Sequence, residues 1–114
     1  NILATGNITA YFSSDARLKD NKEKISNPID KINQIGGYEF DWKTDLVQHV
    51  PTHDVGVIAQ EIEKVLPEIV VTREDGYLAV RYEKIAPLLI EGIKELSQEV
   101  ERLKNILDKN GITE

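Results

Sequence analysis

Ser14 and Lys19 have residue types and a spacing that permit covalent chemistry. They lie in the stretch FSSDARLKD, residues 12–20, which also carries the charged pair Asp15 and Arg17. A serine hydroxyl becomes an effective nucleophile when a neighbouring base takes its proton, and a neutral lysine amine is such a base. In an extended chain, five residues would separate the two by roughly 16 Å, whereas a turn brings them within reach. The spacing permits a Ser-Lys catalytic pair, and it fits a solvated, charged turn as well.

A lysine that acts as a base needs an environment that favours its neutral form. Lysine amines are ordinarily protonated at neutral pH, so burial or a nearby cation has to oppose the charge. Arg17, two residues before Lys19, is a candidate for that cation. The elements around the turn must then hold the two side chains together.

Composition restricts the classes of protein to which the chain can belong. Its 114 residues suit one domain with an appendage, and a net charge of -6 argues against a nucleic-acid surface. The absence of cysteine removes disulfides and thiolate nucleophiles. No apolar run approaches the roughly 18 residues that span a bilayer, and no cofactor motif is present. The absence of methionine predicts that the chain is part of a longer protein.

The middle of the chain predicts a small α+β unit with antiparallel pairing. Asn27 followed by Pro28 is typical of a helix start, with Asn27 as the N-cap, and Gly36-Gly37 of its end. The alternating segment YEFDW is typical of a half-buried strand. The other expected elements are a strand at 55–58, a helix ending before Pro67, a strand at 69–72, a turn at Asp75-Gly76 and a strand at 77–81.

From Glu83 onward the apolar residues follow a heptad pattern. They are Leu89, Ile93, Leu96, Val100, Leu103 and Leu107. This narrow stripe predicts a helical seam between chains of an oligomer, against the alternative of an amphipathic helix packed on its own domain. β-branched residues at a and leucine at d favour dimers by the general rule, and the pattern leaves the number of helices open. Pro87 requires that the helix begin just before it.

Two further groups of polar residues are weaker candidates for a site. His49, His53 and Asp54 could be metal ligands, although they lack the spacing of a third and fourth ligand, and we expect no metal. Gln60 and Glu61 lie in the segment GVIAQE, where capping or hydrogen bonds across a subunit interface are the favoured role. Support of the Ser-Lys pair is the alternative for these two residues.

Four segments in order carry a resemblance to a known family. They are SDARLKDN, GYEFDWK, VGVIAQEIEKVLPEIV and DGYLAVRYEKIAPLLIEGIKEL. Together they closely resemble the C-terminal intramolecular chaperone domains of phage tailspikes and tail fibres, a self-cleaving Ser-Lys family also found in the myelin regulatory factor type of transcription factor. The resemblance runs from about Ser14 to Leu103, and its motifs are specific in combination.

The resemblance implies a homotrimer that nucleates folding of the elongated part upstream in the same polypeptide and then cuts itself off. The implied cleavage lies between Ser13 and Ser14, with Ser14 as nucleophile and Lys19 as general base. Asp15 and Arg17 match the motif in register and are possible supporting residues. Membrane and nucleic acid are not implied as partners of this domain.

The resemblance also implies an architecture and a location. We expect an α+β fold in which a small antiparallel sheet with short helices precedes a long C-terminal helix that forms a trimeric coiled coil. The parent would be a phage virion precursor made in the host cytoplasm, and the chaperone would be absent from the mature virion after cleavage. The implied division is 1–13 for the end of the upstream fibre or spike, 14–82 for the chaperone core and 83–114 for the coiled-coil helix.

Two alternatives share this fold. One is a structural trimerisation domain that does not cleave and stays attached to the fibre tip. The other is a regulatory domain that releases a DNA-binding fragment. The presence of both Ser14 and Lys19 favours self-cleavage, and the absence of a membrane span in this window favours a phage parent over an animal one.

Overall fold

The computed structural model describes residues 14–43, 45–46 and 52–111. Residues 1–13, expected to be the end of the upstream fibre or spike, lie outside the described residues, and with them Ser13 on one side of the expected cleavage site. His49 also lies outside them.

The described residues form an α+β fold with small antiparallel sheets and a long C-terminal helix, as predicted. The elements in chain order are α1 (Pro28–Ile32), β1 (Tyr38–Asp41), β2 (His53–Gly56), α2 (Ala59–Val65), β3 (Val70–Thr72), β4 (Leu78–Val80) and α3 (Ala86–Lys109). Short 3₁₀ turns occupy Ala16–Leu18, Pro67–Ile69 and Tyr82–Ile85. Within this part of the chain, β1 pairs with β2 and β3 with β4 in two separate two-stranded sheets, so the prediction of one sheet was wrong.

The first sheet confirms a strand in the alternating segment, over Tyr38–Asp41, with Trp42 directly after its end. Phe40 and Trp42 are half-buried, with ring centroids 4.9 Å apart in an edge-on arrangement, while Glu39 and Asp41 are exposed. Its partner β2 begins two residues earlier than predicted. Ile58, expected to end that strand, instead has an extended backbone at the N-cap position of α2.

The second sheet is a tight hairpin, as the Asp75-Gly76 pair predicts. Gly76 has a φ of 90°, which a residue with a side chain rarely adopts. The turn closes with hydrogen bonds from the Gly76 amide to the Arg73 carbonyl, at 2.9 Å, and from the Arg73 amide to the Tyr77 carbonyl, at 2.8 Å. The two strands are shorter than predicted, three residues each.

The first helix differs from its prediction at both ends. Asn27 has a left-handed backbone, with φ 49°, and its side chain makes no capping hydrogen bond. The helix ends at Ile32, before the Gly36-Gly37 pair. The short helix packs on α3, where Ile29 and Ile32 lie against Gly92, and a Cβ on Gly92 would overlap Ile32 Cδ1.

The buried core is contributed by α2, the 3₁₀ turn after it and the first turn of α3. Its fully apolar members are Ile62, Val65, Ile69 and Leu88, of which Ile62 and Leu88 are the most completely buried. The Tyr82 hydroxyl accepts a hydrogen bond from the Val57 amide at 3.2 Å, which ties the end of the first sheet to the residues that lead into α3.

The C-terminal helix begins at Ala86, so Pro87 lies in its first turn, as predicted. Its 24 residues span about 36 Å. The six heptad residues are all exposed in the single chain, from 44% for Leu89 to 67% for Ile93. The helix therefore buries Leu88 and Gly92 against its own domain and leaves the heptad stripe uncovered. No helix in the described part of the chain combines the length and apolarity needed to cross a bilayer.

Candidate catalytic site

The residues between Ser14 and Lys19 form a 3₁₀ turn with a side-chain cap. Asp15 occupies the N-cap position, and its Oδ1 accepts a hydrogen bond from the Arg17 amide at 2.8 Å. The Leu18 amide donates to the Asp15 carbonyl at 3.0 Å, and the Lys19 amide donates to the Ala16 carbonyl at 3.2 Å. This local structure follows from the sequence, since aspartate is among the preferred N-cap residues.

The turn brings Lys19 back onto Ser14. Lys19 Nζ donates a hydrogen bond to Ser14 Oγ at 2.7 Å, a distance at which a proton can pass between nucleophile and base. Both side chains are exposed in the single chain. The contact that the spacing permits is therefore formed within one chain, and the catalytic role of the two residues stays a prediction.

Arg17 is engaged with Asp15. The guanidinium donates to both carboxylate oxygens, from Nε to Oδ1 at 3.1 Å and from Nη2 to Oδ2 at 2.8 Å. The guanidinium, and then the Arg17 amide, hold the pKa of Asp15 below its usual range, and the carboxylate raises the pKa of Arg17. Because the carboxylate offsets the Arg17 charge, this geometry gives little support to the expectation that Arg17 is the cation favouring a neutral Lys19.

Glu61 connects α2 to the start of β1. Its Oε1 accepts a hydrogen bond from the Gly36 amide at 3.0 Å, and its Oε2 accepts one from the Tyr38 hydroxyl at 2.6 Å. This hydrogen bond raises the pKa of the Tyr38 hydroxyl. These contacts are structural and lie within one chain. Gln60, next to Glu61, is exposed, and a supporting role for either residue at Ser14 stays a prediction.

His53 pairs with two carboxylates across the first sheet. Its Nδ1 lies 2.9 Å from Asp41 Oδ1, and its Nε2 lies 3.1 Å from Glu39 Oε1. Asp41, followed by Glu39, raises the pKa of His53. Asp54 instead accepts hydrogen bonds from the Trp42 indole, at 3.1 Å, and from the Val55 amide. Among the described residues no group of three or more ligands suits a metal ion.

No local pattern in the sequence indicates this His53 cluster. The signal is the strand register, because His53 faces Asp41 directly once β1 and β2 are aligned. Cross-strand pairs of opposite charge are a usual source of sheet stability. The expected strand at 55–58 excluded His53 from the sheet, which concealed the pairing.

Comparison with known families assigns the chain to a class of protein. Residues 14–71, slightly more than half of the chain, match a peptidase family described as chaperone of endosialidase. The chain belongs to this family. The match begins at Ser14 and includes the whole Ser14 to Lys19 turn, and it confirms the resemblance drawn from the sequence motifs.

The curated relatives are long tail fibre proteins of phages. The chain is 38% identical over 102 residues to the long tail fiber protein Gp37 of Enterobacteria phage M1, covering 85% of this chain and 41% of the relative. For Gp37 of Enterobacteria phage K3 the identity is 34% over 101 residues, covering 85% and 8%. For Gp37 of Salmonella phage S16 it is 34% over 106 residues, covering 83% and 14%. The chain thus spans less than half the length of each of these relatives.

Proposed function

We propose that this chain is a self-cleaving C-terminal chaperone of a phage tail fibre or spike. It trimerises, nucleates folding of the elongated part upstream in the same polypeptide, and releases itself by cutting before Ser14. The observation that carries this proposal is the 2.7 Å contact between Lys19 Nζ and Ser14 Oγ, which lies at the start of the segment matched to a peptidase family of chaperones.

The proposed reaction begins with the Ser14 hydroxyl. Ser14 Oγ attacks the carbonyl carbon of Ser13 while neutral Lys19 takes the hydroxyl proton. Lys19 then delivers that proton to the Ser14 amide nitrogen, which leaves as the C–N bond breaks and an ester forms between the Ser13 carbonyl and Ser14 Oγ. Water hydrolyses the ester, so Ser13 becomes a new C-terminus and Ser14 a new N-terminus. The reaction turns over once and needs no cofactor.

Assembly supplies what the single chain lacks. Ser14 and Lys19 are both exposed, and a lysine takes the hydroxyl proton only in its neutral form. Neighbouring chains that cover the turn would remove water and favour the neutral amine. The exposed heptad stripe of α3 gives those chains an apolar surface on which to associate. Trimerisation through this stripe would therefore couple cleavage to assembly.

Trimerisation before cleavage suits a fibre. Elongated β-structured chains form contacts between residues distant in sequence, so they fold slowly and expose strand edges meanwhile. A terminal trimer holds three chains at high effective concentration. After release, the fibre stays folded because its unfolding is slow. On this proposal residues 1–13 end the fibre, 14–82 form the chaperone core and 83–114 the coiled-coil helix.

This proposal also gives the location of the domain. The parent is a virion precursor made in the host cytoplasm, and the released chaperone is absent from the mature virion. Similarity to the long tail fibre proteins of phages supports a fibre parent.

Intact mass of the full parent protein tests the cleavage. We expect two fragments that join between Ser13 and Ser14 from the native chain, and one uncut chain from Ser14→Ala and from Lys19→Ala. An uncut native chain that is still trimeric by light scattering would retire the catalytic proposal. It would leave a structural trimerisation domain that stays attached to the fibre tip.

Light scattering on a seam variant tests the assembly. Val100→Asp places a charge on the heptad stripe, whereas Gln98→Asp places the same charge on the outer face of the helix. We expect a three-chain mass for the native protein and for Gln98→Asp, with a smaller mass and slower cleavage for Val100→Asp. A monomeric Val100→Asp protein that cleaves at the native rate would disprove the coupling between assembly and cleavage.

A further inference from the structure

The Asp15 carboxylate holds the turn closed from two sides. It accepts the Arg17 amide as an N-cap and accepts two hydrogen bonds from the Arg17 guanidinium. Each of its oxygens therefore has a donor from the same residue. The backbone bonds of Leu18 and Lys19 complete the turn, so this cap determines where the Lys19 side chain leaves the backbone.

An exposed lysine needs such a constraint. The Lys19 side chain is solvent-exposed. An unconstrained lysine side chain populates many rotamers, and holding its amine in one place costs conformational entropy. Two hydrogen bonds account for the position of Lys19: the one from its Nζ to Ser14 Oγ and the one from its amide to the Ala16 carbonyl. The shape of the turn is thus the main source of the short distance between base and nucleophile.

We infer that Asp15 and Arg17 are positioning residues that hold Lys19 on Ser14 of the same chain. This inference rests on the proposed self-cleavage and deepens it. Asp15 closes the turn, and Arg17 fixes the Asp15 carboxylate in its capping orientation. Neither residue takes or gives a proton in the reaction. Their effect is on how often Lys19 Nζ lies within reach of Ser14 Oγ.

The chain contains a matched control for this pair. Arg73 and Asp75 have the same residue types, two positions apart and in reverse order, with Nη2 and Oδ2 at 3.0 Å. Asp75 also accepts a hydrogen bond from a backbone amide, that of Tyr77, at 3.0 Å. This second pair lies at the turn of the β3–β4 hairpin. Substituting Asp75 thus removes similar side-chain contacts at a surface turn without touching the Ser14 to Lys19 segment.

The first measurement is the cleavage rate of the full parent protein, obtained from its intact mass as a function of time. We expect Asp15→Ala to cleave about fivefold more slowly, as the loss of an N-cap shifts the turn equilibrium by about that factor. Asp15→Asn keeps a capping oxygen and is expected to recover most of the rate, which general destabilisation would not explain. Arg17→Ala is expected to slow cleavage about twofold, since exposed ion pairs contribute little. Asp75→Ala is expected to cleave at the native rate.

Native rates in both Asp15→Ala and Arg17→Ala would overturn the inference while leaving self-cleavage intact. Equal slowing in Asp75→Ala would also overturn it, because a distant turn would then have the same effect. If the native protein does not cleave, the proposed function fails and amide hydrogen exchange decides the positioning. Faster exchange of the Leu18 and Lys19 amides in Asp15→Ala would support the role of the cap, and unchanged exchange would overturn it.

Discussion

At the scale of residues, the contact between Lys19 and Ser14 is compatible with two protonation states of the amine. A charged lysine donates to the hydroxyl, and a neutral lysine can instead accept the hydroxyl proton along the same line. The 2.7 Å distance puts the two groups within hydrogen-bond reach of each other. The proposed cleavage then depends on a side chain at position 19 that can lose its proton.

Lys19→Arg separates these two states. Arginine keeps the charge and can still bond to Ser14, but it does not deprotonate in proteins. We expect Lys19→Arg to abolish detectable cleavage, a loss of at least a hundredfold by intact mass, while the trimer persists by light scattering. Lys22→Arg, at an exposed lysine three residues after Lys19, is the control and is expected to cleave normally. Cleavage by Lys19→Arg at the native rate would show that Lys19 is not the base.

His53 gives a pH dependence to the first sheet. Its pKa is raised above the ordinary value of 6.5, first by Asp41 and then by Glu39, with Asp54 adding to the effect. Since the folded-state pKa is the higher one, this stabilisation is fully present below pH 6.5 and is lost as pH rises through the raised value. We expect NMR titration to show a lowered His53 pKa in Asp41→Asn. An unchanged His53 pKa in that variant would contradict the cross-strand pairing. Added salt is expected to weaken the pairing, because the side chains of His53, Asp41 and Glu39 are exposed.

At the scale of elements, α3 has two different faces. One face packs Leu88 and Gly92 against the domain. The other face carries the heptad stripe, whose side chains are exposed in the single chain. Glycine at position 92 lets α1 approach closely, because a side chain there would occupy the space of Ile32. The glycine has a packing role here, since helix propensity alone disfavours it.

Gly92→Val tests this packing. Valine has a higher helix propensity than glycine, so the substitution should stabilise α3 taken alone. A loss of stability would therefore come from the displacement of α1. Overpacking a buried site typically costs about 1–3 kcal/mol, and we expect the free energy of unfolding to fall by about 2 kcal/mol in urea titration. Gln98→Val, on the exposed side of the same helix, is expected to change it by less than about 0.5 kcal/mol. Equal effects of the two substitutions would show that Gly92 is not a packing contact.

At the scale of the whole molecule, the site and the assembly surface are distinct parts of the chain. Ser14 and Lys19 meet within one protomer, while the exposed stripe on α3 is the surface proposed to join protomers. A trimer would thus hold three complete pairs, each assembled from its own chain. Mixed trimers distinguish this arrangement from a shared site.

Co-expression of Ser14→Ala with Lys19→Ala chains provides that measurement. When each pair forms within one chain, neither variant has both groups, and we expect every chain to stay uncut in mixed trimers. If Lys19 acted across subunits, Ser14 of the Lys19→Ala chain would gain a lysine from its neighbour. Its cleavage would then appear in intact mass and contradict the intrachain pair. A mixture of native and Ser14→Ala chains is the control, in which native chains are expected to be cut.

Much of the fold and of the candidate site could be predicted because the signals are local. The alternation around Phe40 follows from the period of a strand, Gly76 from the positive φ of its turn, and Pro87 from the start of a helix. The short distance between Ser14 and Lys19 is local as well, since five residues and an Asp15 cap suffice to form the turn. The heptad stripe and the family motifs are also visible in the sequence alone.

Contacts between distant residues were decided by the tertiary structure alone. The register of β1 and β2 places His53 against Asp41, and Glu61 reaches Gly36 and Tyr38 across 25 and 23 residues. Gly92 sets how closely α1 approaches α3. Such contacts depend on how elements of separate sequence meet, and a local pattern carries no information about that meeting. The turn, the strand period and the heptad stripe follow from the local order of residues. Which side chains are buried, such as Leu88, and which stay exposed, such as those of the heptad stripe, depends on how the elements pack together.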